Sequence, residues 1–224
     1  VARASGDPRA LAIALGSIAI AHQRGGRAKE ARAAYESALA AAESASDAWT
    51  IATTRLNLAG LAKADGDLAD ALVHLEAAVD MGRRAGGLVA VQQALFNLAN
   101  LDLYLGRYAR AAASIDRLAE QRDKLSPHAR AQLLGLQAEL ATRLGEIDRG
   151  ARLYELCAEA YEAVARPLDS AEARLEGILT RLGASGDAAR AVDVGALARE
   201  LEAVRTGLGD GGFREHEALA GIVR

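Results

Sequence analysis

Apolar residues recur along the chain at spacings of three and four, and these runs are interrupted by single glycines. Leu95, Leu98, Leu101 and Leu105 precede Gly106 in this way, and a second run of the same kind follows it. Residues at these spacings lie on one face of an α-helix. Glycine suits the left-handed turn that closes a helix. The pattern therefore predicts pairs of amphipathic helices joined by short glycine turns.

The helix pairs repeat along the chain. Glycines recur with a nearly constant period at Gly26, Gly66, Gly106, Gly145 and Gly186. Seven positions before each glycine stands a small or apolar residue, and these markers are Ala19, Ala59, Ala99, Ala138 and Leu179. Small markers let paired helices approach closely. Because one helix pair cannot bury its apolar faces alone, the repeat predicts that neighbouring pairs stack.

The predicted fold class is all-α, a right-handed α-solenoid of stacked antiparallel helix pairs. We expect a single solenoid over 1–224, with about five repeats and a C-terminal capping helix at 213–223. The predicted repeats span 8–46, 47–86, 87–126, 127–166 and 167–206, and residues 1–6 would end a preceding repeat. Helix-start signals at Asp7, Asp47 and Ser126 mark the joins between repeats, which we expect to be longer than the turns within them.

The stretch LFNLANLDLYLGRYARAAASIDRL, residues 95–118, resembles the tetratricopeptide repeat (TPR). The resemblance covers roughly 11–203. The 40-residue period is longer than the usual 34, and is similar to the long-helix variety of kinesin light chains and of bacterial regulators such as the maltose-regulon activator. Two positions depart from the TPR pattern: Gly150 replaces the usual alanine, and Gly195 replaces an aromatic residue or leucine. We therefore expect loose packing in the fifth repeat.

The amino-acid composition limits the fold class, the kinds of partner and the compartment that fit the chain. Hydrophobic residues make up 51% and aromatic residues 4%, which favours helices over sheets. The net charge of -3 provides no general attraction to nucleic acid. The longest uncharged apolar run, 10–21, is too short to cross a bilayer. A single cysteine excludes an internal disulfide and suits a reducing compartment. We therefore expect a cytoplasmic location. We also expect a segment of a larger protein, because the chain starts at Val1, and a bacterial source, because arginine greatly outnumbers lysine.

Motifs for catalysis are missing from the sequence. The string GLGDGG at 207–212 matches the GxGxxG spacing, but a predicted helix precedes it where a dinucleotide site needs a strand. We interpret it as a linker. Cys157 lies on an apolar repeat position, which favours a buried structural thiol over a nucleophile. The histidines are too far apart to form a metal pair: His22, His74, His128 and His216. We predict no enzyme activity, cofactor or metal.

In stacked helix pairs the first helices line the concave wall, so the candidate binding residues come from them. The candidates for a peptide-binding groove are Arg24, Asn57, Lys63, Gln93, Phe96, Asn97, Asn100, Gln132, Glu139 and Arg143. Asn57 and Asn97 occupy equivalent places in successive repeats. An amide side chain both donates and accepts hydrogen bonds. The TPR resemblance implies that such asparagines bind the backbone of an extended peptide.

Each of these assignments has a structural alternative. Asn57 and Asn97 can instead bond a neighbouring turn, and Phe96 and Leu56 can belong to the core, since a one-residue phase error exchanges the two faces. Trp49 is interpreted as a wedge between repeats. The chaperone-tail clamp of some TPR proteins is not expected, because Gly16 and Ile20 stand at its first two places.

Three functions fit the sequence. The first is a non-catalytic module that binds a peptide or protein segment in its groove. The second is the sensor region of a multidomain signalling or transcription regulator, whose partners include other domains of its own chain. The third is a scaffold that self-associates as a homo-oligomer. None of the three calls for nucleic acid or a membrane.

Overall fold

The computed structural model describes residues 7–183 together with Arg199 and Glu202, and these residues fall into two compact units, Val1–Leu105 and Gly106–Arg224. Every regular element within 7–183 is helical. The helices of the first unit are α1 (Pro8–Arg24), α2 (Ala28–Ser44), α3 (Ala48–Ala64), α4 (Leu68–Arg84) and α5 (Leu88–Tyr104). Those of the second unit are α6 (Tyr108–Ala119), α7 (Pro127–Arg143), α8 (Ile147–Glu162) and α9 (Pro167–Leu182).

The all-α prediction is confirmed, and consecutive helices pack on each other inside each unit. In the first unit α1 packs on α2, α2 on α3, α3 on α4 and α4 on α5. In the second unit α6 packs on α7, α7 on α8 and α8 on α9. This order is that of a helical repeat. The linker at 207–212, the capping helix and residues 1–6 lie outside the described residues, as does the second helix of the predicted fifth repeat apart from Arg199 and Glu202.

Polar residues at the predicted helix starts cap their helices. The Asp7 carboxylate accepts a hydrogen bond from the Arg9 N–H at 2.9 Å, and the Ser126 hydroxyl accepts one from the Ala129 N–H at 3.2 Å. Each bond satisfies a backbone donor that has no partner within its own helix. Proline follows both caps at the first helical position, where its missing N–H costs nothing.

The joins differ from the sequence-based expectation. The turns at 45–47 and 85–87, which connect predicted repeats, have the same three-residue length as the glycine turns inside them; only the connection at 120–126 is much longer and includes a short 3-10 turn, Arg122–Lys124. Ser46 has a φ of 50° and takes the left-handed conformation in the turn after α2, as Gly66 does with a φ of 81° in the turn after α3. We missed the short turn at Ser46 because serine rarely adopts a left-handed conformation.

The alanine markers are core residues. Ala19, Ala59, Ala99 and Ala138 are each at most 3% exposed. Around Ala19, a cluster of Ala31, Tyr35, Leu58 and Leu61 joins α1, α2 and α3. Small residues on two helices bring the backbones close, and the longer side chains then fill the remaining space.

Candidate functional site

The first helices of the first unit are α1, α3 and α5, and a capping residue links the first two. Asp47 caps α3, accepting hydrogen bonds from the Thr50 N–H at 3.2 Å and hydroxyl at 2.8 Å. Its other neighbour is Arg9 of α1, whose Nε lies 2.9 Å from an Asp47 carboxylate oxygen. Burial acts to raise the pKa of Asp47, but the Thr50 bonds and the Arg9 charge outweigh it and hold the pKa below its usual range. Asp47 therefore stays ionised and fixes the starts of both helices.

Most candidate residues of this unit are accessible. Arg24, Lys63, Gln93, Asn97 and Asn100 are exposed, whereas Asn57 and Phe96 are half-buried. Gln93, Asn97 and Asn100 are spaced by four and three positions, so they follow one face of α5. We call the exposed side of α1, α3 and α5 that carries Arg24, Asn57, Lys63, Gln93, Asn97 and Asn100 the amide face.

The amides of this face differ in their bonding. Asn100 donates to the Phe96 carbonyl of its own helix at 3.0 Å, so part of its capacity is used locally. Neither Asn57 nor Asn97 makes a side-chain hydrogen bond with any residue in the described part of the chain. The bond to a neighbouring turn that we considered from the sequence is not formed. Both amides keep two donors and an acceptor for another molecule.

The apolar candidates divide between the core and the surface. Leu56 is 9% exposed and belongs to the core, as the alternative interpretation of the sequence allowed. Phe96, at the equivalent position of the next repeat, is half-buried. Ile13 and Ile20 of α1 are 55% and 39% exposed, and Tyr104 at the end of α5 is 76% exposed. The amide face therefore has exposed aliphatic side chains at α1 and an exposed ring at α5.

Charge is unevenly distributed over the helices of the first unit. No Asp or Glu occurs within α1 or α3, and the carboxylate of α5, Asp102, is 1% exposed. Exposed carboxylates of these five helices lie on α2 and α4, for example Glu36 and Asp80. Arg24 and Lys63 form no ion pair with any described residue. The amide face thus carries positive charge without a carboxylate to neutralise it.

The candidates of the second unit have a different environment. Gln132 and Arg143 are exposed and Glu139 is half-buried. An Arg143 guanidinium nitrogen lies 3.3 Å from a Glu139 carboxylate oxygen one helical turn earlier. The Glu139 carboxylate therefore neutralises the charge of Arg143, which we expected from the sequence to bind a negatively charged group. The second unit therefore gives less support to an anion-binding role than the first.

Trp49 is more exposed than a wedge between repeats would be. The side chain is 56% exposed, and its Cδ1 lies 3.4 Å from the position that a Cβ would take at Gly87, in the α4–α5 join. The ring therefore covers this join on one side and remains open to solvent on the other. Sequence spacing placed Trp49 at a helix start but could not specify its exposure.

A polar network that the sequence analysis missed connects α2 to the next helix pair. Arg32 of α2 lies 3.1 Å from Asp65 in the α3–α4 join and 3.2 Å from Asp70 of α4. Arg55 of α3 lies 3.1 Å from Glu43 of α2. The partners of each pair belong to different helices or turns and are distant in sequence, so local spacing carried no signal for them. These pairs supply polar contacts between successive helix pairs.

His74 of α4 belongs to the same network. Its Nε2 lies 3.5 Å from an Asp70 carboxylate oxygen, and its Nδ1 is buried without a hydrogen-bond partner among the described residues. Burial lowers the pKa of His74; the Asp70 and Glu36 carboxylates oppose this effect, and the Arg55 and Arg32 charges add to it. The neutral imidazole is the form that the folded chain favours.

We expect the free energy of unfolding to fall as pH decreases from about 7.5 to about 5.5. Since the pKa of His74 is lower in the folded than in the unfolded state, protons bind preferentially to the unfolded chain as the pH falls below the unfolded pKa of about 6.5. Urea unfolding at several pH values measures this slope. His74→Gln should reduce it, and an unchanged slope in that variant would contradict the assignment.

Among the described residues, the cysteine is buried and the metal-ligating side chains do not cluster. Cys157 is 2% exposed, its thiol donates to the Ala131 carbonyl at 3.2 Å, and burial raises the pKa of the thiol to about 12. A thiol of this kind is a poor nucleophile. No three side chains of His, Cys, Asp or Glu in the described part come together as a metal site. None of its helices is both long and apolar enough to cross a membrane.

Comparison with known proteins identifies the class of fold. No family model and no curated protein matches the chain. Among solved structures, the chain is similar to a crystal structure of nearly identical TPR-like repeats of a kinesin light chain from Podosopora anserina. The two chains align with a TM-score of 0.67 at 16% sequence identity, and the alignment covers 89% of this chain and 96% of that one. The chain therefore has the fold of TPR-like helical repeats, which confirms the resemblance drawn from the sequence repeat.

Proposed function

We propose that the chain is a non-catalytic interaction module that binds an extended peptide segment of a partner protein on the amide face. TPR-like repeats are generally protein-interaction modules. The observation that carries the proposal is the state of Asn57 and Asn97. They occupy equivalent places on adjacent first helices, and their amides have no partner within the described chain. Amides in a row can pair with successive backbone groups of an extended segment whatever its side chains.

The surroundings of the two amides indicate which peptides bind best. Ile13, Ile20 and Phe96 offer apolar contacts, and Arg24 and Lys63 provide uncompensated positive charge. A segment with one or two large apolar residues and a nearby carboxylate complements this combination. The charges are exposed, so this contribution should weaken as the salt concentration rises.

The experiment that tests the proposal is a screen of the purified chain against an array of overlapping peptides, followed by titration of the best binders. We expect the Asn57→Ala/Asn97→Ala double variant to lose affinity by roughly 10- to 100-fold, because two or more hydrogen bonds worth about 1 kcal/mol each are removed. Thermal unfolding of the variant should occur at or slightly above the wild-type temperature, since both amides are unbonded in the folded chain and alanine is the better helix former.

A matched control comes from α2. Ser37 and Ser44 are exposed, and their hydroxyls bond only to carbonyls of their own helix, at 2.9 Å and 3.0 Å. Ser37→Ala/Ser44→Ala therefore removes two neutral polar groups from the unit without touching the amide face, and its affinity should equal that of the wild type. Binding that is the same in both double variants, or an array without binders, would contradict the proposal.

A further inference from the structure

A single stripe of α5 is accessible, and the rest of the helix is buried. Every residue from 90 to 103 is buried except Gln93, Phe96, Asn97 and Asn100. The stripe continues at both ends of the helix, to Val89, which is 74% exposed, and to Tyr104, which is 76% exposed. Spacings of three and four keep these residues on one side of the helix. The accessible stripe therefore runs the full length of α5 and includes the amides of the amide face.

α3 carries a matching stripe. Its residues are half-buried or exposed and are spaced by four, four, three and three: Trp49, Thr53, Asn57, Gly60 and Lys63. The three-residue turns reverse the chain between consecutive helices, so α3 and α5 run in the same direction, and the two helices are in contact. The two stripes therefore border one furrow, with Asn57 on one side and Asn97 on the other.

The two ends of this furrow differ in chemistry. At the helix starts, Trp49 and Val89 are 56% and 74% exposed, and we call this pair the apolar corner. Trp49 Cδ1 lies 3.4 Å from the position that a Cβ would take at Gly87, so the ring reaches across to the start of α5. Its indole N–H makes no hydrogen bond with any described residue. The opposite end of the furrow carries Lys63 and Tyr104.

Charge and hydrophobicity select different groups at the two ends. Lys63 forms no ion pair with any described residue, and α3 contains no Asp or Glu. The carboxylate that follows it in sequence, Asp65, pairs with Arg32 at 3.1 Å. An uncompensated lysine favours a carboxylate of the partner. The apolar corner favours a large apolar side chain, because covering it removes apolar surface from water.

Gly60 leaves space in the furrow between the two ends. A glycine inside a helix is less stable than alanine, so it commonly has a packing reason. Gly82 and Gly150 have one, since an added Cβ would lie 2.9 Å and 2.5 Å from a neighbouring side chain. At Gly60 no described atom lies within 4 Å of that position. The space is therefore open to a bound segment that approaches the backbone of α3 closely.

We propose that the partner segment lies lengthwise in the furrow, with a large apolar side chain on the apolar corner and a carboxylate on Lys63. This assignment rests on the function proposed above and specifies the spacing of the partner's side chains. From Trp49 to Lys63, α3 rises by about 21 Å. An extended segment covers this length with about six or seven residues. The apolar residue and the carboxylate are therefore about six positions apart, and the backbone between them passes Asn57 and Asn97.

The fluorescence of Trp49 tests the inference, because Trp49 is the only tryptophan of the chain. Two probe peptides of equal composition and with blocked ends are titrated into the purified chain. Phe-Ser-Ala-Ser-Ala-Ser-Asp has its Phe and Asp six positions apart, and Ser-Ala-Phe-Asp-Ser-Ala-Ser has them adjacent. We expect the spaced probe to bind at least tenfold more tightly. Its saturation should shift the Trp49 emission to shorter wavelengths, because an exposed indole becomes covered.

Val89→Asp tests the apolar corner with Trp49 in place, and Val73→Asp is its matched control. Val73 is 59% exposed on α4, outside the furrow. Both valines are more than half exposed, so both variants should fold like the wild type. We expect Val89→Asp to weaken binding of the spaced probe at least fivefold and Val73→Asp to leave it unchanged. A spaced probe that does not bind, equal affinities for the two probes, an unchanged Trp49 emission at saturation, or equal effects of the two variants would overturn the inference.

Its failure can be distinguished from failure of the proposed function. If Asn57→Ala/Asn97→Ala weakens the binding of array peptides while the Trp49 emission stays constant, the amide face binds peptides without the apolar corner. The inference is then wrong and the proposed function stands. If no peptide binds at all, both are wrong.

Discussion

Leu58→Ala is expected to destabilise the first unit by about 2–5 kcal/mol, whereas Ile18→Ala, at the equivalent place one repeat earlier, should cost less than about 1 kcal/mol. Leu58 is 1% exposed and packs between α1, α2 and α3 against Tyr35 and Ala31. Its truncation leaves a cavity in an alanine-rich core that cannot collapse further. Ile18 is 48% exposed, so its truncation removes few contacts and leaves no cavity.

Urea unfolding followed by helical circular dichroism measures both changes in the free energy of unfolding. The two substitutions shorten aliphatic side chains at the same repeat position, so each is the control of the other. Similar losses of unfolding free energy in both variants would show that α1 is covered as fully as α3, and would contradict the contrast in exposure.

The periodic part of the fold could be predicted from the sequence because it depends on local chemistry. Marker glycines such as Gly26 and Gly145, at φ of 71° and 81°, close helices in the left-handed conformation. The small markers Ala19 and Ala99 are fully buried. Both features recur in successive repeats, so an irregular residue in one repeat does not obscure the pattern. The starts of α1, α3 and α7 could also be predicted, since the caps Asp7, Asp47 and Ser126 act on the first turn of their own helices.

The candidate site was less predictable because exposure depends on partners far away in sequence. Leu56 and Asn57 are adjacent, yet one is 9% exposed and the other is half-buried, and the repeat pattern alone does not fix the phase to a single position. The cation at Arg143 is paired with Glu139, which depends on side-chain rotamers. Ile18 occupies an apolar repeat position like that of Leu58, yet it is 48% exposed among the described residues, whereas Leu58 is 1% exposed.

Gly150 illustrates a departure from the repeat whose reason only the structure supplies. Its position in α8 is one where the TPR pattern has alanine. A Cβ at Gly150 would lie 2.5 Å from Thr142 Oγ1, 3.2 Å from the Thr142 backbone nitrogen and 3.3 Å from the Ala138 carbonyl oxygen of α7. Thr142 Oγ1 is held in place, since it donates to Ala138 at 3.0 Å and lies 3.3 Å from Thr180 Oγ1 of α9. The glycine therefore accommodates the threonine that connects α7 to α9.

Gly150→Ala is accordingly expected to destabilise the second unit by about 1–3 kcal/mol, the usual cost of overpacking. The cost arises although alanine is the better helix former by about 1 kcal/mol. Gly60→Ala in α3 is the matched control: nothing lies within 4 Å of the added Cβ, so the same substitution should stabilise by roughly 0.5–1 kcal/mol.

Thr142→Ala should recover part of the loss in the Gly150→Ala background, because it removes the nearest atom. Urea unfolding of the two single variants and the double variant measures this coupling. An equal gain from both glycine substitutions would mean that α7 and α8 approach less closely than the structure shows.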